Sequence, residues 1–377
     1  MSASRASAPA SGPLFIGLMS GTSMDGVDAV LAQFPASGRP AILASASLPM
    51  PPALRDEFLR LNSAGANELA RAALAANELA GLYARACRQL LDKADTPPAA
   101  ITAIGAHGQT VRHDPQAGYS IQLNAPSLLA ELTGIDVIAD FRSRDIAAGG
   151  QGAPLVPAFH HAVFGCGHPR AVLNLGGIAN VTLLRPGLGP RGFDTGPANV
   201  LLDLWCREKT GDGYDAGGRW AATGRPAQPL LDALLDGEPW FSLPPPKSTG
   251  RDLFNRGWLA SRLAGFADAR IPDQDVQATL QELTACTVAR AIEAHAPNAR
   301  EVLACGGGAL NESLMQALQR RLGRPVIPTT ELGVPVQLVE ALAFAWLAWA
   351  HVQGVPAGVP EVTGARGPRV LGGRYPA

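Results

Sequence analysis

Apolar runs alternate with small and polar residues along most of this chain, and their spacing predicts its elements. Residues 15–34 form two apolar runs around a turn rich in serine and glycine, a pattern typical of two strands. Residues 52–62 and 67–94 are rich in Ala, Leu, Arg and Glu, which favours helices. Short buried strands are predicted within 100–111 and 136–141. The alternation of strands and helices predicts an α/β fold.

The opening pattern returns near the middle of the chain. Residues 170–184 again give a strand, a Gly-Gly turn and a strand, and residues 301–323 give a strand, a triple-glycine turn and a helix. We interpret this as two related α/β halves with a cleft between them. Residues 211–256, rich in Gly, Pro and Trp, are predicted to form loops over a site. Residues 1–13 are small and polar, which predicts a disordered tail.

Composition narrows the class of protein. Of the 377 residues, 47% are hydrophobic and 17% charged, so the chain has the material for large cores. The formal net charge is -1 without a basic run, which argues against nucleic acid or an anionic membrane as the main partner. The five cysteines lack CxxC spacing, which favours buried thiols in a reducing cytoplasm. The most apolar stretch, 338–352, contains Glu340 and His351 and suits a buried helix better than a membrane span.

Three glycine-rich turns stand where strands end. In the first, from Ser20 to Gly26, small residues let the backbone approach a ligand, and successive N–H groups and hydroxyls can surround an anion. The second lies within 173–182, and the third lies within 305–318, before a helix whose N-terminus suits phosphate. Neither a P-loop nor a GxSxG nucleophile elbow is present. The turns favour a bound nucleotide, with three ordinary turns as the alternative.

A few polar residues are candidates for chemistry. Asp194 is predicted on a short turn before a helix, where a carboxylate either caps the helix or acts as a general base. His107 and His113, at the end of a strand, suit sugar recognition or a structural hydrogen bond better than a metal.

Charged residues at two further places are also candidates. Arg142, Arg144 and Asp145 follow a strand, where they either grip a carboxylate or hydroxyls or form a solvated salt bridge. Glu340 in its apolar helix is either on a wet face or aimed into a site. The polar loop 245–255 could close over the cleft.

Eight motifs occur in the order found in the anhydro-N-acetylmuramic acid kinase family, which this chain therefore resembles. They are GLMSGTSMDGVDA, HGQTVRH, ADFRSRDIAAGGQGAPLVP, NLGGIANVT, GFDTGPAN, PPKSTGRDLFN, CGGGALN and EALAFAWLA. The resemblance covers about residues 14–376. It implies the fold of the sugar kinase, Hsp70 and actin superfamily: two RNase H-like α/β domains (the actin-like ATPase fold) with an interdomain nucleotide cleft. The implied domains are 14–168 plus 335–377 and 169–334.

The resemblance also implies a reaction. The family opens the internal bridge of 1,6-anhydro-N-acetylmuramic acid with water and phosphorylates O6 with ATP. The products are N-acetylmuramic acid 6-phosphate and ADP, and the route is peptidoglycan recycling. ATP is the implied cosubstrate, with Mg²⁺. A cytoplasmic homodimer would agree with the family, and neither nucleic acid nor a membrane is expected as a partner.

Residue roles follow from the resemblance, motif by motif. Asp194 corresponds to the catalytic base. Contact with ATP is implied for Ser20, Gly21, Thr22, Ser23, Met24, Asp25, Gly26, Asn174, Gly176, Gly177, Gly306, Gly307, Gly308 and Asn311. Contact with the sugar is expected of His107, Gln109, Arg142, Asp145 and Glu340. Many superfamily members carry an Asp on the first strand where this chain has Gly17 or its apolar neighbours, so the metal ligands stay open.

Two other functions fit some of these patterns. A binding protein on this fold would sense a sugar or nucleotide without turnover, and the intact GFDTGPAN motif argues against it. A hydrolase using Ser23 or His107 would act without ATP, and the absence of GxSxG argues against it. Dependence of turnover on ATP separates the three functions.

Overall fold

The computed structural model describes residues 12–21, 24–36 and 39–377, so most of the predicted tail, together with Thr22 and Ser23, lies outside the described residues. The strands are β1 (Leu14–Met19), β2 (Gly26–Gln33), β3 (Ala41–Pro49), β4 (Ile101–Ala106), β5 (Gln109–Asp114), β6 (Tyr119–Leu123), β7 (Val137–Ala139), β8 (Arg170–Leu175), β9 (Ile178–Leu184), β10 (Arg191–Pro197), β11 (Val302–Cys305), β12 (Val326–Pro328) and β13 (Gly373–Tyr375). The helices are α1 (Pro52–Leu61), α2 (Glu68–Lys93), α3 (Pro126–Thr133), α4 (Ser143–Ala147), α5 (Val156–Phe164), α6 (Asn199–Thr210), α7 (Gln228–Asp236), α8 (Arg256–Leu263), α9 (Asp273–His295), α10 (Glu312–Leu322), α11 (Val339–Val352) and α12 (Pro360–Thr363).

The chain forms two compact units. The first consists of Met1–Phe159 and Glu340–Ala377, and the second of His160–Val339. The division falls within α5 and at the start of α11. The limits expected from the sequence lie a few residues away, in the loops after α5 and before α11.

The first unit is built on a six-stranded sheet in the order β13-β7-β4-β1-β2-β3. Strands β1, β2 and β3 pair antiparallel, whereas β4 pairs parallel with β1, and β7 parallel with β4. Apolar side chains of β1 and β2 and of helices α1 and α2 form one core, which includes Ile16, Phe58 and Leu79. The predicted opening hairpin and the helices at 52–62 and 67–94 are confirmed.

The second unit repeats this arrangement with five strands in the order β10-β9-β8-β11-β12. Strands β8, β9 and β10 pair antiparallel, and β11 pairs parallel with both β8 and β12. An antiparallel meander followed by parallel strands is therefore common to both units. The repeated order confirms the prediction of two related RNase H-like α/β halves.

Two glycines let α11 approach the first sheet closely. A Cβ at Gly17 on β1 would overlap the backbone oxygen of Ala341, and a Cβ at Gly105 on β4 would overlap that of Phe344. The two glycines are register partners on adjacent strands. The family resemblance implied an Asp near this place, and helix packing is the physical reason that no side chain fits at Gly17.

The region 211–256 differs from the prediction of loops. It contains α7 and short 3₁₀ turns, among them Pro239–Ser242. With α6, α8 and α9 it forms a separate apolar cluster. Phe254 lies at its centre, fully buried, with its ring 5.5 Å from Phe241 and 5.1 Å from Trp258. The aromatic residues that favoured loops serve instead as the core of a helical lobe.

Candidate active-site residues of each unit

The turn between β1 and β2 holds its polar groups by internal bonds. The amide of Met24, which has a left-handed φ of 57°, donates to the carbonyl of Gly21 over 3.1 Å. Ser20 is fully buried, and its hydroxyl donates to Gln109 Oε1 over 2.6 Å. Asp25 is exposed. A Cβ at Gly26 would overlap the Leu48 backbone on β3, so strand packing alone accounts for that glycine.

His107 joins this turn to Arg142. Its Nδ1 lies 3.2 Å from the backbone oxygen of Ser20, and its Nε2 lies 2.8 Å from an Arg142 amino group. Since a carbonyl only accepts and a guanidinium only donates, Nδ1 carries the proton and Nε2 accepts. Burial, reinforced by the Arg142 charge, lowers the pKa of His107 to about 3. His107 is therefore a neutral bridge and not an acid or base near neutral pH.

Arg142 is fixed at a second point and remains charged. Its other terminal nitrogen donates to the backbone oxygen of Gly152 over 2.8 Å. Burial lowers the pKa of Arg142 to about 10, against the favourable charge of Glu340. Burial raises the pKa of Glu340, with a smaller contribution from the charge of Asp28 and an opposing one from Arg142. The first unit thus brings together Ser20, His107, Gln109, Arg142 and Glu340, all of which were expected at the site.

Asp145 has a different position from the one expected of a sugar ligand. It is fully buried on α4. One carboxylate oxygen accepts from the Gly152 amide over 2.8 Å and the other from the Thr363 hydroxyl over 2.8 Å. Both oxygens are committed to protein donors, so Asp145 holds the loop that also accepts from Arg142.

The Gly-Gly turn of the second unit is open but its neighbouring amides are occupied. Gly177 is exposed, and a Cβ at Gly176 or Gly177 would meet no atom closer than 3.5 Å. The amides of Ala198 and Asn199, at the start of α6, donate to the carbonyls of these two glycines over 2.9 and 3.1 Å. The turn is therefore accessible to a ligand, while these helix amides already have partners.

The triple-glycine turn is explained largely by packing. Gly306 has a φ of 80°, and a Cβ there would overlap the side-chain oxygen of Asn174 on β8. A Cβ at Gly308 would come within 2.7 Å of Leu175. Gly307 is exposed with open space around it. Asn311, expected at ATP, caps α10 by accepting from the Leu314 amide over 2.9 Å.

Asp194 lies within strand β10 and not on a turn, which corrects the prediction from sequence. Its register partner is Asn180 on β9, and the pairing shifts between Asp194 and Gly196. Such a bulge redirects side chains at a sheet edge. The residue before α6 is Ala198, and no side chain caps that helix. The alternative in which Asp194 is a helix cap is therefore wrong.

A loop far away in sequence holds Asp194. Its amide donates to the Lys247 carbonyl over 3.1 Å. Its Oδ2 accepts from the Thr249 amide over 2.9 Å and from the Ser248 hydroxyl over 3.2 Å. Burial raises the pKa of Asp194 to about 6, although these two donors and the Lys247 charge act in the opposite direction. A carboxylate with this pKa is suited to accept a proton near neutral pH.

The sequence alone missed Lys247, Ser248 and Thr249 as partners of Asp194. The loop that contains them was singled out only as a polar segment that could close over the cleft. The available signal was a carboxylate that needs hydrogen-bond donors. Because more than fifty residues separate Asp194 from these donors, the sequence does not show that they are partners.

Among residues 12–21, 24–36 and 39–377, no three His, Cys, Asp or Glu side chains cluster as a metal site. Within the same residues, no helix has the length and apolar character that crossing a bilayer requires.

Two sheets with the same strand order and a half-buried carboxylate with a raised pKa define a duplicated α/β protein that has a candidate general base. The comparisons with known proteins agree. The family model described as anhydro-N-acetylmuramic acid kinase matches residues 13–377. A Bordetella pertussis anhydro-N-acetylmuramic acid kinase is 68% identical over 366 residues, covering 97% of each chain. A Burkholderia orbicola protein of the same name is 55% identical and covers 98% of this chain and 97% of its own.

The chain belongs to the anhydro-N-acetylmuramic acid kinase family, and it is a kinase. A kinase needs a nucleoside triphosphate as phosphoryl donor, in keeping with the prediction of ATP. Among solved structures, an activator of 2-hydroxyisocaproyl-CoA dehydratase from Clostridium difficile with bound ADPNP covers 90% of this chain and 96% of its own. Its identity is 14% and its TM-score 0.49, a likeness too distant to bear on activity.

Proposed function

We propose that this kinase converts 1,6-anhydro-N-acetylmuramic acid, ATP and water into N-acetylmuramic acid 6-phosphate and ADP. The observation that carries the proposal is membership of the family over residues 13–377 together with Asp194 on its bulged strand. We further propose that the protein acts in the cytoplasm, in the recycling of cell-wall peptidoglycan, as the family resemblance implies.

Asp194 is the proposed catalytic base. Water attacks C1 of the sugar and gives a proton to Asp194 as the new C1–O bond forms and the C1–O6 bond breaks. O6 takes the γ-phosphoryl group, and ADP leaves. The raised pKa of about 6 supports this role, because the carboxylate is ionised at neutral pH yet basic enough to accept a proton. General base catalysis of this kind contributes about 10²–10⁴-fold.

The cluster around Arg142 is the proposed recognition site for the sugar. The substrate carries an anionic lactyl carboxylate, and a guanidinium matches a carboxylate in charge and shape. Arg142 is held in place by His107 and Gly152 before any ligand binds, which lowers the entropy cost of recognition. Ser20 and Gln109 fix the turn beside it.

ATP is the proposed donor, with Mg²⁺ as its counter-ion. Exposed backbone that could approach the phosphates is present at Gly177 in the second glycine turn and at Gly307 in the third. Mg²⁺ would neutralise negative charge on the phosphates during the transfer.

The test is ADP release with matched substrates. The protein is supplied with the anhydro sugar with or without ATP and Mg²⁺, and separately with N-acetylmuramic acid, whose ring bears no bridge. The proposal requires ADP formation with the anhydro sugar, much slower formation with the bridge-free sugar, and no sugar turnover without ATP. Turnover without ATP would favour a hydrolase, and ligand binding without any turnover would favour a sensor.

A further inference from the structure

The segment Lys247–Thr249 bonds the carboxylate of Asp194 through one oxygen. Both donors, the Thr249 amide and the Ser248 hydroxyl, reach Oδ2. Within the described residues, no hydrogen bond to Oδ1 is present. The Asp194 amide is held at the same time by the Lys247 carbonyl. Backbone and side chain of Asp194 are thus fixed together by three consecutive residues.

The segment is itself anchored in the aromatic cluster of the helical lobe. The Lys247 ammonium donates to the carbonyl of Phe241 over 2.9 Å and lies 4.3 Å from the centre of the Trp240 ring. The indole N–H of Trp240 donates to the Ser248 carbonyl over 3.2 Å. Phe241 stacks on buried Phe254 at 5.5 Å. A rigid hydrophobic core therefore supports the donors that hold the carboxylate.

The absence of a side chain at Gly196 lets the ring of Phe241 approach strand β10. Gly196 has a φ of 149°, and a Cβ there would lie 2.9 Å from the Phe241 ring. It also stands at the bulge that displaces Asp194 from regular pairing. The same residue therefore permits both the bulge and the approach of the aromatic anchor.

We infer that Lys247–Thr249 is a positioning element for the catalytic base: it holds Oδ2 of Asp194 and leaves Oδ1 as the oxygen that accepts the proton. This inference rests on the proposed role of Asp194. Lys247 acts through the loop geometry and Ser248 through its bond to the carboxylate, so neither needs to touch the substrate. The charged group that faces Asp194 is Lys247, its strand neighbour Asn180 is neutral, and the donors are Ser248 and Thr249.

The experiment compares pH profiles of kcat/KM for ADP release. Ser248→Ala removes a donor that favours the ionised carboxylate, so the apparent pKa of the acidic limb rises by about half to one pH unit. Ser248→Thr keeps a hydroxyl and restores the limb toward that of the wild type. Lys247→Met keeps an unbranched side chain but loses the ammonium group that bonds to Phe241 and lies over Trp240. We expect kcat to fall about tenfold or more with an unchanged KM for ATP.

Controls separate this inference from loss of fold and from the proposed function. Ser242→Ala, at an exposed position of the same lobe, leaves the profile and kcat unchanged. Thermal unfolding of Ser248→Ala stays close to that of the wild type, because the residue is exposed. If Asp194→Asn is inactive while Ser248→Ala and Lys247→Met keep the wild-type limb and kcat, the inference is overturned and the proposed base stands. If Asp194→Asn remains fully active, the proposed base itself fails.

Discussion

The polar cluster around Arg142 in the first unit and the surroundings of Asp194 in the second differ in how their central polar atoms are paired. In the first, His107 is bonded at both ring nitrogens, and its pKa of about 3 removes it from titration near neutral pH. In the second, one oxygen of Asp194 is held by two donors, and its pKa of about 6 lies close to neutral pH. The bonds from His107 and Gly152 suit recognition, because they fix the charge and orientation of the Arg142 guanidinium in advance. Partial pairing suits proton transfer, because one atom stays available.

The two regions also differ in what supports them. Helix α11 approaches the first sheet through Gly17 and Gly105 and thereby sets the position of Glu340. The second sheet is supported at β10 by the loop after Pro239–Ser242, which rests on aromatic rings. One unit uses close backbone packing, and the other uses an aromatic anchor.

The largest effect is expected at the available oxygen. Asp194→Asn keeps an acceptor for Ser248 and Thr249 but cannot take a proton, so kcat falls by about 10²–10⁴-fold. The measurement is steady-state ADP release with the anhydro sugar. Unchanged binding of ATP shows that the fold is intact. A fall in kcat of less than threefold would contradict the role of Asp194 as the base, and with it the difference proposed between the two regions.

A smaller loss is expected at the paired guanidinium. Arg142→Gln removes the charge proposed to meet the lactyl carboxylate, so KM for the sugar rises about 10–100-fold while KM for ATP changes little, in line with the strength of charge-assisted hydrogen bonds. Arg144→Gln is the matched control, since Arg144 is exposed and lies two residues further along, in α4. Equal effects of the two variants would mean that the buried cluster does not recognise the sugar.

The glycine contact of α11 is expected to affect stability. Gly17→Ala places a Cβ against the Ala341 backbone, and overpacking of this kind costs about 1–3 kcal/mol in the free energy of unfolding. Gly81→Ala, in helix α2 with no atom within 4 Å of its new Cβ, should be neutral or stabilising. Denaturant unfolding of both variants makes the comparison, and a stable Gly17→Ala protein would contradict the packing argument.

The smallest effect concerns stability and pH at Asp194. Its folded pKa of about 6 lies above the ordinary value of 3.8, so the folded state holds the proton more tightly than the unfolded chain. This contribution to stability is present below pH 3.8 and is lost as pH rises through 6. At pH 7 to 8, Asp194→Asn should therefore be more stable by about 1–2 kcal/mol. The gain should vanish below pH 4 in thermal unfolding, and a gain independent of pH would contradict the raised pKa.

The fold could be predicted from sequence because its signals are local and repeated. Two strand–turn–strand patterns and two segments rich in Ala, Leu, Arg and Glu predicted the elements, and the duplication predicted the two units. The residues around Asp194, in contrast, predicted a turn, because Gly, Asp and Pro favour turns. A bulged edge strand accommodates the same residues, and only the pairing with β9 reveals it.

Residue roles at the site were harder to predict, for two physical reasons. Glycines at 306 and 308 suggested a ligand, yet contacts with Asn174 and Leu175 already require them, and sequence cannot separate the two causes. The donors to Asp194 include the Thr249 amide, and a backbone group leaves no trace in residue type. Arg142 and His107 were predictable as candidates, but their mutual bond was not.

The most direct test of the central claim is the mass of the sugar product. Wild-type protein is incubated with 1,6-anhydro-N-acetylmuramic acid, ATP and Mg²⁺, beside Asp194→Asn. If Asp194 directs water to C1 as O6 takes the phosphoryl group, the product is heavier than the substrate by one phosphoryl group (HPO3) and one water, and the variant makes almost none. A product that gains phosphate without water would contradict the coupled reaction, and equal product from the variant would contradict the role of Asp194.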